Sequence, residues 1–464
     1  MMRSNPLNKL LNKPPSVCVS HDEILDMPEP DYVVLPMDYT QRELYSWKVA
    51  IGDKVRQNQI IAKNSMGVCL HTPISGTVFD IKPIWSEGGI HIPAVCITRG
   101  EGDAVSVDEI FEQYGVNPKE ATVDDQLKAM GIHPPWLPLS TSAVSEEHTP
   151  EAIENVVIVG FDEEPEINIQ YNLLAQRLND VLEGFSFLKT IMPNATQVLL
   201  ADRNFCKQIK DQVPGEIQLK SISPNYSARL LDRNIPKYAN IRFDHHRDYA
   251  LQKTVVISIE RLLVLTAAIK NSQPFTTKYL TVSNKMPSDH KMVLIHHGTS
   301  IRSILNFTEF SKYQPESIIA GGPMKGISQF NNLTPLTRSC DGLHLLGEKE
   351  ITSGPGDHCT NCAACIRICP LNLQVHLIGR YVEFENFTSA NEYHPEQCME
   401  CGLCSYVCPA QRPLVQFIKL ANQYGNQKNE HKPQTQCSIE SPLEEWDQHC
   451  SSSAAMADSP AASH

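Results

Sequence analysis

The sequence predicts a multi-domain α/β protein with a β-rich N-terminal domain and a cysteine-rich helical C-terminal domain. Three observations support this. Short apolar runs separated by Gly-Asp and Ser-Gly turns follow residue 31, apolar strands alternate with amphipathic helices over 155–270, and one cysteine pattern occurs twice over 359–409. Strand–helix alternation is typical of a parallel sheet covered by helices. The 464 residues allow about two to four domains.

Charge and hydropathy exclude some classes of function. A net charge of -13 argues against a nucleic-acid partner, because phosphates call for a basic surface. Mean hydropathy is -0.27. The apolar run 262–269 is far shorter than the roughly 20 residues that cross a bilayer, so we expect no transmembrane span.

The first 104 residues are predicted to be an arm followed by a β domain. Residues 1–30 show little periodicity, so we expect an N-terminal arm or an extended edge. From 31 to 104, runs such as Ile51–Val55 and Pro73–Val78 contain turns that favour hairpins. Together with Gln59 they resemble the biotinyl/lipoyl-like barrel-sandwich fold. We therefore predict a barrel-sandwich-like domain that serves as a scaffold or docking module.

Barrel-sandwich carriers often hold a modified lysine at a hairpin tip. The corresponding tip here contains Lys63, but it is shorter than the carrier pattern and lacks Met-Lys-Met. A swinging-arm role for Lys63 stays open, and the sequence favours an unmodified surface lysine.

Residues 105–275 are predicted to form an α/β domain with a mostly parallel sheet, because apolar runs alternate with runs of helical spacing. The predicted strands are 155–160, 197–202 and 254–259, and the predicted helices are 107–114, 124–130, 173–188 and 260–270. An acidic stretch that ends near residue 150 is expected to be a mobile loop.

Residues 276–345 are predicted to form a β-grasp-like unit. Two strands precede a helix that Thr299 or Ser300 can cap. The glycine-rich turn 321–326 could let the backbone approach a ligand, although a structural turn is favoured. The two strands are 278–283 and 292–296.

The pattern C-x-x-C-x-x-C-x-x-x-C-P occurs twice, and an amphipathic helix follows each copy. A [4Fe–4S] cube needs four thiolates, and in paired arrangements the fourth cysteine of each copy ligates the other cluster. The sequence therefore predicts a helical, ferredoxin-like domain with two [4Fe–4S] clusters over 350–422. We assign cluster 1 to Cys359, Cys362, Cys365 and Cys408, and cluster 2 to Cys398, Cys401, Cys404 and Cys369.

Two other interpretations of these cysteines are weaker. Structural zinc normally uses two separated C-x-x-C pairs. Disulfides need an oxidising compartment, and the N-terminus has no continuous apolar segment typical of a secretion signal. Residues 423–464 are predicted to be a disordered tail. We assign no role to Cys437, His449, Cys450, or the adjacent pairs His245–His246 and His296–His297.

The order of these domains resembles the RnfC family, a component of the Rnf electron transport complex, over roughly 30–422. The resemblance implies a peripheral subunit on the cytoplasmic face of a membrane-bound, ion-translocating complex, with the membrane subunits as partners. It also implies a central domain like the flavin-binding subunit of respiratory complex I, which binds FMN and NADH and passes electrons to its clusters. The resemblance to this family rests on residues 52–55, 73–76, 160–165, 298–299 and 321–326 and on the two copies of the cysteine pattern.

Three nucleotide-site elements of that family are altered. The family's G-L-G-G-A-G-F-P-T is replaced by 133–141, where prolines remove amide donors. The family's N-G-A-E-C-E-P keeps only Gly160, Glu164 and Pro165 here, and P-S-G-G-E-K is lost at 223–228. Glycines of such loops let backbone amides face phosphates. We therefore predict a degenerate FMN/NADH site, with Gly160 and Glu164 as its remaining cofactor-binding residues.

Three functions follow as hypotheses. The first is an electron relay within an Rnf-like complex, with a redox protein as donor or acceptor and without bound FMN or NADH. The second is an NADH-oxidising subunit in which Asp162, Glu163 and Glu164 hold ribose or flavin, although a solvated acidic turn explains these residues at least as well. The third is a soluble ferredoxin-type carrier, which would need little beyond its cluster domain.

Overall fold

The computed structural model describes residues 23–37, 45–138, 148–223, 225–242, 248–284, 289–348, 351 and 357–425. Our expectations for His245, His246, the loop 139–147, residues 1–22 of the arm and the tail from 426 lie outside these residues.

Two small sheets form the N-terminal β domain, as predicted. The strands of this region are β1 Ile24–Asp26, β2 Tyr32–Pro36, β3 Ser46–Trp47, β4 Lys54–Val55, β5 Ile60–Lys63, β6 Cys69–His71, β7 Gly76–Trp85 and β8 His91–Arg99. One sheet has the order β2-β8-β7-β4 and the other β3-β5-β6. Gly76 is required where β7 meets β8, because a Cβ there would lie 1.8 Å from the carbonyl oxygen of Thr98. Lys63 packs on the domain, with its Nζ 4.1 Å from the centroid of the Tyr114 ring.

A parallel sheet forms the centre of the second domain. Its strands are β9 Asn155–Gly160, β10 Thr196–Asp202, β11 Gln218–Ile222 and β12 Thr254–Ser258. They follow the order β11-β10-β9-β12 and all pair in parallel, which confirms the predicted parallel sheet. Runs of Val, Ile and Leu in β9 and β10 are buried, as expected when helices cover both faces.

The helices of this domain differ from prediction at one point. They are α1 Val107–Tyr114, α2 Val123–Ala129, α3 Ile169–Gln176, α4 Leu178–Ile191, α5 Arg203–Ile209, α6 Tyr226–Arg229, α7 Leu231–Ala239 and α8 Ile259–Asn271. The prediction of one helix over 173–188 was wrong. Arg177 has a φ of -127°, outside the helical range, and its Nε donates to Asp180 Oδ2 at 2.7 Å. The chain therefore turns between α3 and α4.

The third unit has the predicted β-grasp arrangement. Its elements are β13 Thr277–Asn284, β14 His290–His296, α9 Ile301–Phe307, β15 Ser317–Ala320, β16 Ile327–Gln329 and β17 Gly342–Leu346. The sheet order is β1-β14-β13-β17-β15-β16, with β13 and β17 parallel at its centre. Ser300 caps α9, because its Oγ accepts the backbone N–H of Ser303 at 3.2 Å. The edge strand β1 comes from the N-terminal segment and runs parallel to β14.

The C-terminal domain is helical. Its helices are α10 Ala364–Ile368, α11 Val375–Glu383, α12 Phe387–Asn391, α13 Leu403–Tyr406 and α14 Leu414–Gly425. Each cysteine loop leads into a short helix, α10 or α13, and then into a longer one, α11 or α14. The longer helices bury Ile378 and Ile418 in a common core. Among the described residues, no helix combines the length and apolar character needed to cross a bilayer.

Arg338 of the β-grasp unit joins the domains. Its guanidinium donates to the carbonyl oxygens of Gly131 (2.7 Å) and Phe275 (2.9 Å). The hairpin between β7 and β8 reaches the same region, where Glu87 accepts hydrogen bonds from Thr337 and Ser339. These contacts hold the barrel-sandwich domain, the α/β domain and the β-grasp unit together.

Candidate functional site

Both cysteine loops turn through residues in the left-handed backbone region. Asn361 (φ 52°) and Ala363 (φ 57°) flank the second cysteine of the first loop, and Glu400 (φ 51°) and Gly402 (φ 76°) flank the second cysteine of the other loop. Alternation between right- and left-handed conformations curls a chain into a concave turn of the kind found at iron–sulfur sites. The three leading cysteines of each loop can therefore face a common centre.

The fourth cysteine of each copy lies with the other loop. Burial raises the pKa of Cys365, and the charge of Cys408 from the second copy raises it further. Burial also raises the pKa of Cys404, to which the charge of Cys369 from the first copy contributes. The crossed assignment predicts that Cys408 lies near Cys365 and that Cys369 lies near Cys404. Iron binding by the two sets stays a prediction. We call Cys359, Cys362, Cys365 and Cys408 the outer set, and Cys369, Cys398, Cys401 and Cys404 the inner set.

The two sets differ in exposure. Cys362 of the outer set is exposed, and the backbone N–H of Ala364 holds its pKa below the ordinary value. In the inner set, burial raises the pKa of Cys398 to about 12. All four inner cysteines line one small cavity, whose other walls are mainly apolar. The outer set therefore reaches the surface through Cys362, whereas no cysteine of the inner set is exposed.

Two sets of four thiols are the donors that two [4Fe–4S] clusters require. Within the described part of the chain, no three His, Cys, Asp or Glu side chains are placed to hold one metal ion. A cube distributes its four thiolates over four irons, so its thiolates stand further apart. The twelve described cysteines are all free thiols, which leaves no disulfide among them.

The loop that replaces the family's glycine-rich loop is packed into the protein. The Trp136 side chain is fully buried, and its Nε1 donates to Asp124 Oδ1 at 2.8 Å. The backbone N–H of Leu137 donates to the carbonyl oxygen of Pro134 within the loop. These contacts hold Trp136 in the core, while His133, Pro135 and Leu137 line a cavity that also contains Arg261.

Gly160 and Asp162 both have structural partners. Gly160 ends β9, and a Cβ there would lie 2.7 Å from Cδ2 of Leu174. Asp162 accepts the backbone N–H groups of Gln170 (3.0 Å) and Tyr171 (3.3 Å) in the first turn of α3. Burial raises the pKa of Asp162 to about 7. The carboxyl of Asp162 therefore anchors a helix.

Glu163 and Glu164 also bind other parts of the protein. Glu163 Oε2 pairs with Nζ of Lys325 at 2.7 Å, and its Oε1 accepts the backbone N–H of Leu231. Glu164 Oε2 accepts the backbone N–H of Met324 at 2.8 Å. The interpretation of 162–164 as a solvated acidic turn was wrong, because Asp162 is buried and the two glutamates fasten the glycine-rich turn 321–326.

Tyr226 connects this region to the inner set. It is 4% exposed. Its hydroxyl donates to the carbonyl oxygen of Cys401 at 2.8 Å and lies 3.4 Å from Glu164 Oε1. Next to Cys401, a Cβ on Gly402 would lie 2.4 Å from the carbonyl oxygen of Met324. Sequence reasoning missed Tyr226 because its partners lie 62 and 175 residues away.

A cleft lies beyond the carboxyl ends of β9 and β12, where open parallel sheets bind ligands. It consists of two cavities that share Val256, Ile257, Ser258 and Ser339. Carboxylates dominate the cavity beside the acidic turn, whereas Arg261 and Arg338 line the other. The carboxylates are Glu87, Asp162, Glu163, Glu164 and Asp341.

Arg261 was also missed from the sequence. No described residue accepts a hydrogen bond from its guanidinium, which lies 5.4 Å from the centroid of the Phe275 ring. Burial and the charge of Arg338 lower its pKa to about 10. A guanidinium without an acceptor beside a cavity suits an anionic group. The one sign of Arg261 in the sequence is that it is a charged residue in the first turn of an apolar helix.

Comparisons with known proteins agree with this domain order. Residues 14–102 match the family model of the RnfC barrel sandwich hybrid domain, and residues 354–409 match that of a 4Fe-4S dicluster domain. The C component of a proton-translocating ferredoxin:NAD(+) oxidoreductase complex from Clostridium ljungdahlii is 24% identical over 84% of this chain and 88% of that protein. The C component of an ion-translocating oxidoreductase complex from Methanosarcina acetivorans is 30% identical over 38% of this chain and 39% of that protein. Among solved structures, NAD+-reducing [NiFe]-hydrogenase in the H2-reduced state has a TM-score of 0.41 at 11% identity, over 77% of this chain and 69% of that chain.

Proposed function

We propose that this chain, which is similar over most of its length to the C components of ion-translocating oxidoreductase complexes, is a peripheral electron-transfer subunit of such a complex. In this proposal the outer and inner sets each bind a [4Fe–4S] cluster, and the chain relays electrons to or from a protein partner rather than from NADH. Bound clusters of this kind supply one-electron transfer.

The observation that carries the proposal is the pair of matched cysteine sets, one at the surface and one enclosed. Cys362 brings the outer set to the solvent-facing side of the domain, where a redox protein can approach it. The apolar walls around the inner set exclude water from its cavity. Such an arrangement suits exchange with a partner at the outer set and storage or onward transfer at the inner set.

The altered nucleotide elements support the absence of NADH oxidation. Pro134 and Pro135 have no amide N–H, and the amide of Leu137 already donates to the carbonyl oxygen of Pro134, so the loop 133–137 offers few donors to phosphates. Glu163 and Glu164 already hold Lys325 and Met324. The carboxylates that line the neighbouring cavity repel a dinucleotide's phosphates.

One observation favours the alternative function, an NADH-oxidising subunit that uses FMN. The guanidinium of Arg261 lies beside a cavity without a hydrogen-bond acceptor among the described residues, and a flavin phosphate would supply one. The alternative therefore requires Arg261, and not the glycine-rich loop of the resembling family, to hold the phosphate.

A reconstitution experiment separates the two functions. The clusters would be assembled anaerobically and the protein mixed with NADH and FMN, while EPR and the visible iron–sulfur absorbance are followed. The relay function predicts two clusters per chain, reduction by dithionite, no retained FMN and no reduction by NADH. Rapid reduction by NADH that is lost in Arg261→Gln would instead establish the alternative.

We further propose that the chain sits on the cytoplasmic face of a membrane, held by membrane subunits of the complex and reached there by a redox protein. The names of its relatives, which are subunits of ion-translocating complexes, support this location. A tagged chain should co-purify with membrane proteins and be released by a salt or urea wash. A chain recovered only from the soluble fraction, without partners, would favour the soluble carrier.

A further inference from the structure

Four segments that are distant in the sequence meet beside the inner set. They are the turn at Glu163 and Glu164, the start of α6 and α7, the glycine-rich turn 321–326 and the loop at Cys401 and Gly402. The hydroxyl of Tyr226 lies at the centre of this junction. The ring of Tyr226 packs with Leu230, Cys401 and Leu403, so its surroundings are apolar, whereas Glu163, Glu164 and Lys325 bring charged groups to the same junction.

The junction closes one side of the inner set. The loop at Gly402 approaches the carbonyl oxygen of Met324 so closely that a Cβ would lie 2.4 Å from it. Met324 is held there by its backbone hydrogen bond to Glu164. Without the Tyr226 hydrogen bond, the carbonyl oxygen of Cys401 would need a water molecule as its donor, since a buried polar group requires a partner.

We propose that Tyr226 and Glu164 are positioning residues that set the reduction potential of the cluster bound by the inner set. They hold the Cys401–Gly402 turn against the glycine-rich turn and keep water from that side of the cluster. This inference rests on the proposed function, because it assumes that the inner set binds a [4Fe–4S] cluster. In the resembling family the acidic motif belongs to the nucleotide site, and here it serves the cluster.

The sign of the effect follows from solvation. Reduction adds negative charge, and a water-excluding environment disfavours the more charged state. Hydrogen bonds and solvent exposure are among the factors that set cluster potentials. Opening the junction should therefore raise the midpoint potential of the inner cluster and leave that of the outer cluster unchanged.

The test is an EPR-monitored redox titration of the reconstituted full chain and three variants. Tyr226→Phe removes the hydroxyl and keeps the ring. Gly322→Ala opens the junction from the other side, because its Cβ would lie 2.3 Å from Glu164 Oε2. Cys362→Ser identifies the outer signal. We expect both Tyr226→Phe and Gly322→Ala to shift only the inner midpoint potential upward, beyond the scatter of replicate titrations.

Matched controls are available for both variants. Tyr381→Phe removes a hydroxyl within the cluster domain, where Tyr381 stacks on Tyr393. Gly88→Ala adds a methyl group in the acidic cavity, where the nearest atom is 3.6 Å away. Neither control should move either potential.

The outcomes distinguish the proposed function from the positioning role of Tyr226 and Glu164. A wild-type chain that does not assemble two [4Fe–4S] clusters would overturn the proposed function. Two clusters whose potentials are the same in wild type, Tyr226→Phe and Gly322→Ala would overturn the positioning role alone. Equal shifts of both potentials would also overturn it, because they would indicate general loosening of the domain.

Discussion

Trp136 donates its indole N–H to Asp124 at 2.8 Å from a fully buried position. The bond ties the loop 133–137 to α2 and fills the space behind it. In the resembling family this position belongs to a glycine-rich nucleotide loop. With Trp136 buried, the middle of this loop belongs to the core, while His133, Pro135 and Leu137 line the cavity beside Arg261.

Trp136→Phe should therefore destabilise the protein by about 1–3 kcal/mol, because the partly buried Asp124 loses its donor and the core loses part of the indole. Urea unfolding followed by far-UV circular dichroism measures the change. Trp47→Phe is the control, since Trp47 is 37% exposed, and it should change stability by less than about 0.5 kcal/mol. Equal effects of the two substitutions would show that Trp136 is not an anchor.

The Glu163–Lys325 pair should contribute a measurable coupling energy. Both side chains are mostly buried, at 16% and 23% exposed, so solvent screens the pair only partly. A double-mutant cycle with Glu163→Gln and Lys325→Met should give a coupling of about 1 kcal/mol. The exposed Glu154–Lys253 pair, 3.7 Å apart, serves as the reference and should give almost none. A coupling no larger than that of the reference pair would contradict the prediction.

Asp162 should make stability depend on pH. Its pKa is raised from the ordinary 3.8 to about 7 in the folded chain, chiefly by burial. The folded state therefore keeps a proton that the unfolded state releases, and the contribution of Asp162 to stability is lost as pH rises from about 4 to 7. Relative to Asp162→Asn, the wild type should lose about 1.4 kcal/mol per pH unit in this window.

Urea unfolding of both proteins at several pH values measures this difference. Subtracting the variant removes the opposite contribution of His71, whose pKa is lowered to about 3 by burial and whose stabilisation is lost as pH falls below 6.5. A constant difference between the two proteins from pH 4 to 7 would show that Asp162 titrates normally.

The crossed cysteine assignment makes a prediction that spacing alone does not. Cys369→Ser should perturb the same EPR signal as Cys404→Ser, and Cys408→Ser the same signal as Cys365→Ser. An uncrossed arrangement would instead pair Cys369 with Cys365. Anaerobic spectra of the four variants, compared with wild type, decide between the two arrangements.

The outer cluster should be the more easily lost. Cys362 is exposed, whereas the inner cysteines line an enclosed cavity. Oxidation by ferricyanide with a chelator present should release iron in two phases, with the outer EPR signal disappearing first. A single phase that removes both signals together would contradict the difference in exposure.

Local patterns predicted most of the fold. The apolar run at β9, the cap Ser300 and the cysteine spacing each depend on residues a few positions apart, so the sequence displays them directly. The break at Arg177 escaped prediction because helical spacing continues across it. Only the packing of buried α3 against amphipathic α4 reveals the turn.

The candidate site was predicted unevenly for the same reason. The spacing of the cysteines indicates a cluster site directly. The roles of Tyr226 and Lys325 depend instead on partners 62 to 175 residues away. Glu163 and Glu164 follow a strand, which is a common place for solvated or ligand-binding acids. No local signal indicated that their partners would be Lys325 and Met324.

The hydrogen bonds of Arg338 have a consequence for how firmly two of the domains are joined. A hinge motion between the β-grasp unit and the α/β domain would break the bonds from the partly buried guanidinium to the carbonyl oxygens of Gly131 and Phe275. The α/β domain and the β-grasp unit should therefore keep their relative positions when the chain meets a partner.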